Sequence, residues 1–302
     1  MGLLQIWISA ALLAFVVGCA YKAIRFATMP VHLRWELYPV AHDRERAEHG
    51  GSYFEDADWW TKPRRRSLLG EAKTIAQEVL ALRIVRENNR GLWLPSLAFH
   101  WGLYLLCALG CFLIAGAVGR APSHRAIAWL AGGRLLSAWG AIGLALASVG
   151  CGALLARRLV RRDLRGASTP AGFFHLALLL AVFAASWASW LAADRDYTLT
   201  ARFLRASVTL TPAAPASPWL VAEVVLLGLF LAYLPWSQMT HFFTKFFTWH
   251  SVRWDDAPNL GGSVYEERMR RSLLRPVHWS APHVGADGAR TWADVARGRG
   301  GS

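Results

Sequence analysis

The chain has 302 residues, 54% of them hydrophobic and 16 of them tryptophan, with a formal net charge of +13. That is too apolar and too aromatic for an ordinary water-soluble domain of this length. A basic excess also suits nucleic acid, but here its distribution follows membrane topology, which sets a nucleic-acid partner aside.

A helix needs about 20 apolar residues to cross the hydrocarbon, because lipid cannot pair exposed peptide groups. Five stretches qualify. Leu3 to Ala20 carries no ionisable group but the Cys19 thiol, and in Leu92 to Val118 only His100 readily takes a charge. Leu135 to Ala156 has no charged residue, Gly172 to Ala193 carries only His175, and Trp219 to about Phe247 carries Glu223, His241 and Lys245. Lys and Arg number 13 in residues 21–92, 5 in 157–170 and 9 in 242–302, against 3 in 119–134 and 3 in 194–218. Basic residues near helix ends stay in the cytoplasm, so this split puts the N-terminus outside and the C-terminus inside. The expectation is an all-α integral membrane protein: a five-helix transmembrane bundle with an ordered cytoplasmic loop and tail. Its segments are a first spanning helix in 1–24, a loop in 25–91, helices two to five in 92–247 and a tail in 248–302.

The Phe15-Val16-Val17-Gly18-Cys19 run resembles a lipoprotein cleavage box, but no positive charge precedes it, which reads against a signal peptide. Cys19, Cys107, Cys111 and Cys151 all lie in apolar runs, where a neutral thiol packs as a small hydrophobe. In the loop, Gly70 to Asn89 reads as a helix with Ile75, Val79 and Leu82 at helical spacing. Loop and tail mix Trp35, Trp59, Trp60, Trp254, Trp279 and Trp292 with charges of both signs, the residue types that dominate interfaces. A docked cytoplasmic subunit is therefore expected.

An ionisable side chain at membrane depth is disfavoured unless it faces a partner or a cavity. His100 lies roughly 12 Å in from Leu92, and His241 roughly 9 Å in from Phe247, at 1.5 Å per residue from the same face. Two imidazoles from different helices at one depth suit the axial positions of a haem. His175 has similar depth and competes for the same iron, with a supporting role or plain packing as its other readings. Glu223 precedes His241 by 18 residues, five whole turns on one stripe if the helix is continuous, and either accepts a quinol proton or snorkels at the rim. Pro235 is expected to kink the fifth helix. Arg157, Arg158 and Lys245 would offset haem propionates near the inner face. The rivals are a haem-free membrane anchor and a transporter, the latter disfavoured by the lack of an internal repeat.

In Met29 to Pro39, Gly50 to Glu55, Asp58 to Pro63, Pro235-Trp236-Ser237-Gln238-Met239-Thr240-His241-Phe242-Phe243, Val252 to Asp256 and Thr291 to Asp294, the chain resembles the gamma-type cytochrome b subunit of respiratory nitrate reductases, and more narrowly the cytochrome b subunit of Tmc-type transmembrane redox complexes. The resemblance implies one b-type haem on the inner-leaflet side between His100 and His241, with menaquinone or another quinone as substrate. It also implies a cytoplasmic iron-sulfur subunit of heterodisulfide-reductase type, further membrane or periplasmic redox subunits, and a bacterial inner membrane. The resemblance puts the ligands of a second, outer haem at positions that are Gly110 and Glu223 here, which implies that this haem is missing.

Overall fold

The computed structural model describes residues 2–28, 68–119, 134–213, 217–253, 261–279 and 288–298. Trp35, Trp59, Trp60, Trp254 and the motifs from Met29 to Pro63 lie outside the described residues. Two compact units emerge, one of Met1–Ala20 and Ala76–Thr240, the other of Tyr21–Ile75 and His241–Ser302. Secondary structure among the described residues is helical, save one antiparallel bridge between Pro276 and Thr291.

The helices in chain order are α1 (Leu3–Thr28), α2 (Leu68–Ala81), α3 (Arg83–Asn88), α4 (Arg90–Val118), α5 (Arg134–Val160), α6 (Arg162–Gly166), α7 (Pro170–Ala192), α8 (Thr198–Val208) and α9 (Pro218–Tyr233). After two 3₁₀ turns, Leu234–Trp236 and Gln238–Thr240, come α10 (His241–Arg253), α11 (Val264–Leu273) and α12 (Trp292–Ala296). Among the described residues, five spans are long and apolar enough to cross a membrane: α1, α4, α5, α7 and Pro218–Trp236.

Helix starts follow local chemistry. Thr169 accepts from the Gly172 amide ahead of Pro170, and Ser217 from the Trp219 amide ahead of Pro218. A side-chain oxygen at the cap satisfies one orphan amide, while proline at the first helical position lacks the N–H that would otherwise go unpaired.

In the first unit, α4 and α5 cross where side chains vanish. A Cβ on Gly102 would stand 2.7 Å from the Ala147 Cα, and one on Gly150 2.7 Å from both the Phe99 Cα and the Pro95 carbonyl. Backbones that approach this closely gain dispersion contacts over a long seam, the usual source of helix association in lipid. Phe99, Leu144, Ala147, Cys151, Leu176, Leu179 and Phe183 fill the core that α4, α5 and α7 enclose. On the other side, α1 lays Trp7 over Gly228, its indole donating to the Val225 carbonyl at 3.3 Å, and seats Gly18 against Pro235. Gln5, fully buried, donates to the Thr211 carbonyl at 3.0 Å and accepts from the Ala213 amide at 3.3 Å.

The helix expected over Gly70 to Asn89 forms as α2 and α3, broken at Leu82, whose φ is 49°. The last carbonyls of a helix have no intrahelical partner. Here three aromatic side chains of α4 supply donors: Trp93 to Ala81 at 2.7 Å, Trp101 to Leu80 at 3.0 Å and Tyr104 to Val79 at 2.9 Å.

In the second unit, Ser263 caps α11, and Thr291 with Asp294 forms a reciprocal capping box on α12. Glu267 accepts from Arg270 at 2.8 Å and from Arg271 at 2.9 Å, and these bonds hold its carboxyl down at about 2. A carboxyl depressed on folding stabilises above its ordinary range and loses that contribution as pH falls through its folded value. Hydrogen exchange should therefore show α11 amides losing protection as pH drops from about 4.5 toward 2. Protection that persists unaltered at pH 2 would refute this.

Candidate functional site

Two polar clusters interrupt the apolar interior of the first unit. The first surrounds the histidines. On α4 the His100 Nδ1 is 2.7 Å from the Ser96 carbonyl, and its ring packs between Phe99 and Tyr104, with centroids at 5.4 and 6.2 Å. A carbonyl can only accept, so Nδ1 carries a proton, which in the neutral ring puts the lone pair on Nε2. That tautomer is the one an axial imidazole ligand requires, with its other nitrogen tied to backbone.

His175, 7% exposed on α7, is committed differently. Its Nε2 lies 2.6 Å from the Tyr233 hydroxyl on α9, and Phe174 packs edge-on against the same tyrosine at 5.3 Å. The tilted His175 and Tyr233 rings tie α7 to α9. This hydrogen bond gives His175 a helix-joining contact. Arg158 donates to the Gly172 carbonyl at 3.1 Å, one turn before His175, while Arg157 lies against Gly91.

The fifth span differs from the continuous helix expected up to Phe247. It stops at Tyr233 and passes through two 3₁₀ turns before α10 begins at His241. Pro235 lacks a donor, and Ser237 competes for backbone, giving its hydroxyl to the Leu234 carbonyl at 2.8 Å and accepting from the Met239 amide at 3.0 Å. The whole-turn arithmetic linking Glu223 to His241 therefore does not hold. His241 and Lys245 lie on α10 in the second unit.

The second cluster sits at the other end of α7. Ser186 and Ser189 present their hydroxyls to the half-buried Glu223 carboxylate of α9. Asp194, 2% exposed, accepts from the Leu199 amide at 2.8 Å and from the Thr200 amide and hydroxyl at 2.8 and 2.6 Å, starting α8. Tyr197, in the left-handed region with φ 58°, buries its hydroxyl against Gly140. Burial, reinforced by the Glu223 and Asp194 carboxylates, holds this phenol above its usual range, so it stays a neutral donor. A Cβ on Gly110 would meet nothing within 4 Å.

Tyr233, Ser186, Ser189, Asp194 and Tyr197 had no place in the sequence reading. The serine pair was the legible part, being hydroxyls three apart in an otherwise apolar helix. Cys19, Cys107, Cys111 and Cys151 form no disulfide, and no three His, Cys, Asp or Glu side chains among the described residues gather as a metal site.

Together these features give a mostly helical chain whose described residues include five helices long and apolar enough to cross a membrane, with His100 and His175 on two of those helices and a carboxylate cluster in the first unit. Compared with family models, curated proteins and solved structures, the chain shows no significant match.

Proposed function

We propose that this chain is the cytochrome b subunit of a membrane oxidoreductase. It would carry electrons between the quinone pool and a cytoplasmic iron-sulfur subunit of heterodisulfide-reductase type, in a bacterial inner membrane. Further membrane or periplasmic redox subunits belong to the same proposal. The observation that supports it is the His100 imidazole on an apolar span, its Nδ1 proton held by the Ser96 carbonyl in the tautomer that ligation through Nε2 uses. In this reading His100 and His241 hold one b-type haem toward the inner face. Arg158 and Lys245 offset its propionates, and His175 braces the surrounding helices through Tyr233.

A haem supplies one-electron chemistry when bound, with a potential tuned by its axial ligands and local polarity. The chain's own residues do the rest. Ser96 fixes the His100 tautomer. Glu223, set among two serine hydroxyls, accepts a proton from quinol, and the packed core between the two clusters keeps water from joining them. The proposal takes the N-terminus as outside, on the basic-residue split, which puts Glu223 in the outer half and His100 in the inner half.

The rival is a haem-free anchor, and the bond from His175 to Tyr233 favours it to the extent that one histidine serves to join helices. A reduced-minus-oxidised optical spectrum of the purified chain separates the two. A bis-histidine band at one haem per chain is expected, lost in His100→Ala and in His241→Ala and kept in His175→Ala. A flat trace for the wild-type chain ends the cytochrome reading, and a band that survives His100→Ala ends the ligand assignment.

A further inference from the structure

A cavity of about 60 Å³ opens between α4, α5 and α8 in the first unit. That is room for about five water-sized groups, the bulk of one phosphate. Its apolar wall is Leu113 and Ala117 near the end of α4 and Leu136 near the start of α5. At 1.5 Å per residue, Ala117 and Leu136 lie within about 3 Å of their helix ends. There a spanning helix leaves the hydrocarbon and meets the headgroup layer, whichever way the chain faces.

The polar wall comes from α8. Thr198, Arg202 and Arg205 recur at intervals of four and three residues, so one stripe of this helix faces the cavity. Leu199 and Phe203 hold another stripe against Leu220 and Val224 of α9, and Leu204 packs on the core of Leu109, Leu113 and Leu136. The helix is thereby fixed in rotation, and both arginines are exposed. Residues 194–218 hold three Lys or Arg, and two of them line this one cavity. Asp196 lines it as well, its Oδ1 accepting from the Thr198 amide at 3.1 Å. Two guanidiniums against one carboxylate leave the lining with one positive charge in excess. That balance suits the single charge of a phosphodiester, whereas a dianion would be held against Asp196.

A free hydrated anion gains nothing from Leu113, Ala117 and Leu136, but the glycerol and first methylenes below a lipid phosphate cover them. Ile114, Val118 and Leu135, each next in sequence to one of these residues, are exposed and extend the apolar surface that an acyl chain needs.

We propose that this cavity binds the phosphate of an anionic phospholipid with a phosphodiester headgroup. Arg202 and Arg205 pair with the phosphate and Thr198 supplies a hydroxyl donor. The site requires a bilayer around the spans but neither haem nor quinone.

The test is native mass spectrometry of the full chain released from micelles that hold equal phosphatidylglycerol and phosphatidylcholine. The wild-type chain is expected to retain phosphatidylglycerol in preference. Arg205→Gln should cut that preference about 5-fold, and Arg202→Gln with Arg205→Gln about 30-fold, the effect of one and of two basic groups beside an anionic lipid. Both side chains are exposed, so melting in lipid-free detergent should stay at the wild-type value. Arg195→Gln removes a charge from the same segment outside the cavity, where the guanidinium lies 5.7 Å from the Trp190 ring centroid, and should leave the preference unchanged. A loss in Arg195→Gln as large as in Arg205→Gln would mean diffuse surface charge and overturn the site. Displacement of the lipid by millimolar inorganic phosphate would make this a free-anion site and overturn the lipid assignment. Equal retention of the two lipids by the wild-type chain would overturn it too.

Discussion

Replacing Gly102 by leucine is expected to leave little folded protein, because no side chain fits where α4 meets α5. Even a Cβ at this position falls 2.7 Å from the Ala147 Cα and 2.8 Å from the Ala147 Cβ, with the Ala147 amide nitrogen closer still. Real Cβ atoms do not tolerate such contacts, and the obstacle is largely backbone, which cannot rotate away. Overpacking a core with methylenes usually costs about 1–3 kcal/mol, so wedging two helix backbones apart should cost about 4 kcal/mol or more. The companion variant is Gly152→Ala, two residues beyond Gly150 on the same helix, where an added Cβ meets nothing within 4 Å. Thermal unfolding in detergent should show Gly152→Ala at or slightly above wild type, since alanine also raises helix propensity. Equal melting of the two variants would mean that the crossing is not as close as described.

The second large effect belongs to Asp194→Ala. This carboxylate is 2% exposed and receives three short donors, two of them the amides of Leu199 and Thr200 that open α8. Alanine strands those amides where water hardly reaches, and each buried donor left unpaired costs about 1–3 kcal/mol. A loss of about 3 kcal/mol is expected, roughly halved in Asp194→Asn, which keeps one acceptor oxygen. The loss should appear as a lower melting temperature and faster amide exchange confined to α8. An Asp194→Ala chain with wild-type exchange there would show that the carboxylate does not organise the turn.

Three of the five spans are readable to within about four residues, and the first to its start, its helix running on from Ala20 to Thr28, because run length is imposed by the hydrocarbon and needs no tertiary information. The fifth was readable only in part. Pro235 announced a disturbance, yet the break runs from Leu234 through Thr240, because Ser237 also takes backbone partners there. A helical register cannot be carried across such a break, which is why counting turns from Glu223 to His241 misled. His175 shows the other limit. Depth alone makes it equivalent to His100, and only the facing of α7 and α9 brings Tyr233 to its Nε2. Nothing in the sequence ties Trp93, Trp101 and Tyr104 to the end of a helix more than ten residues upstream.

That aromatic clasp joins a segment of the loop to the helix bearing the first imidazole. Ser96 and His100 sit between the residues that grip Val79, Leu80 and Ala81. A displacement of this short stretch is thereby levered onto the turn that orients the ring, without passing through the rest of the bundle. Whatever displaces Val79, Leu80 and Ala81 would pull on the α4 turn that carries Ser96 and His100.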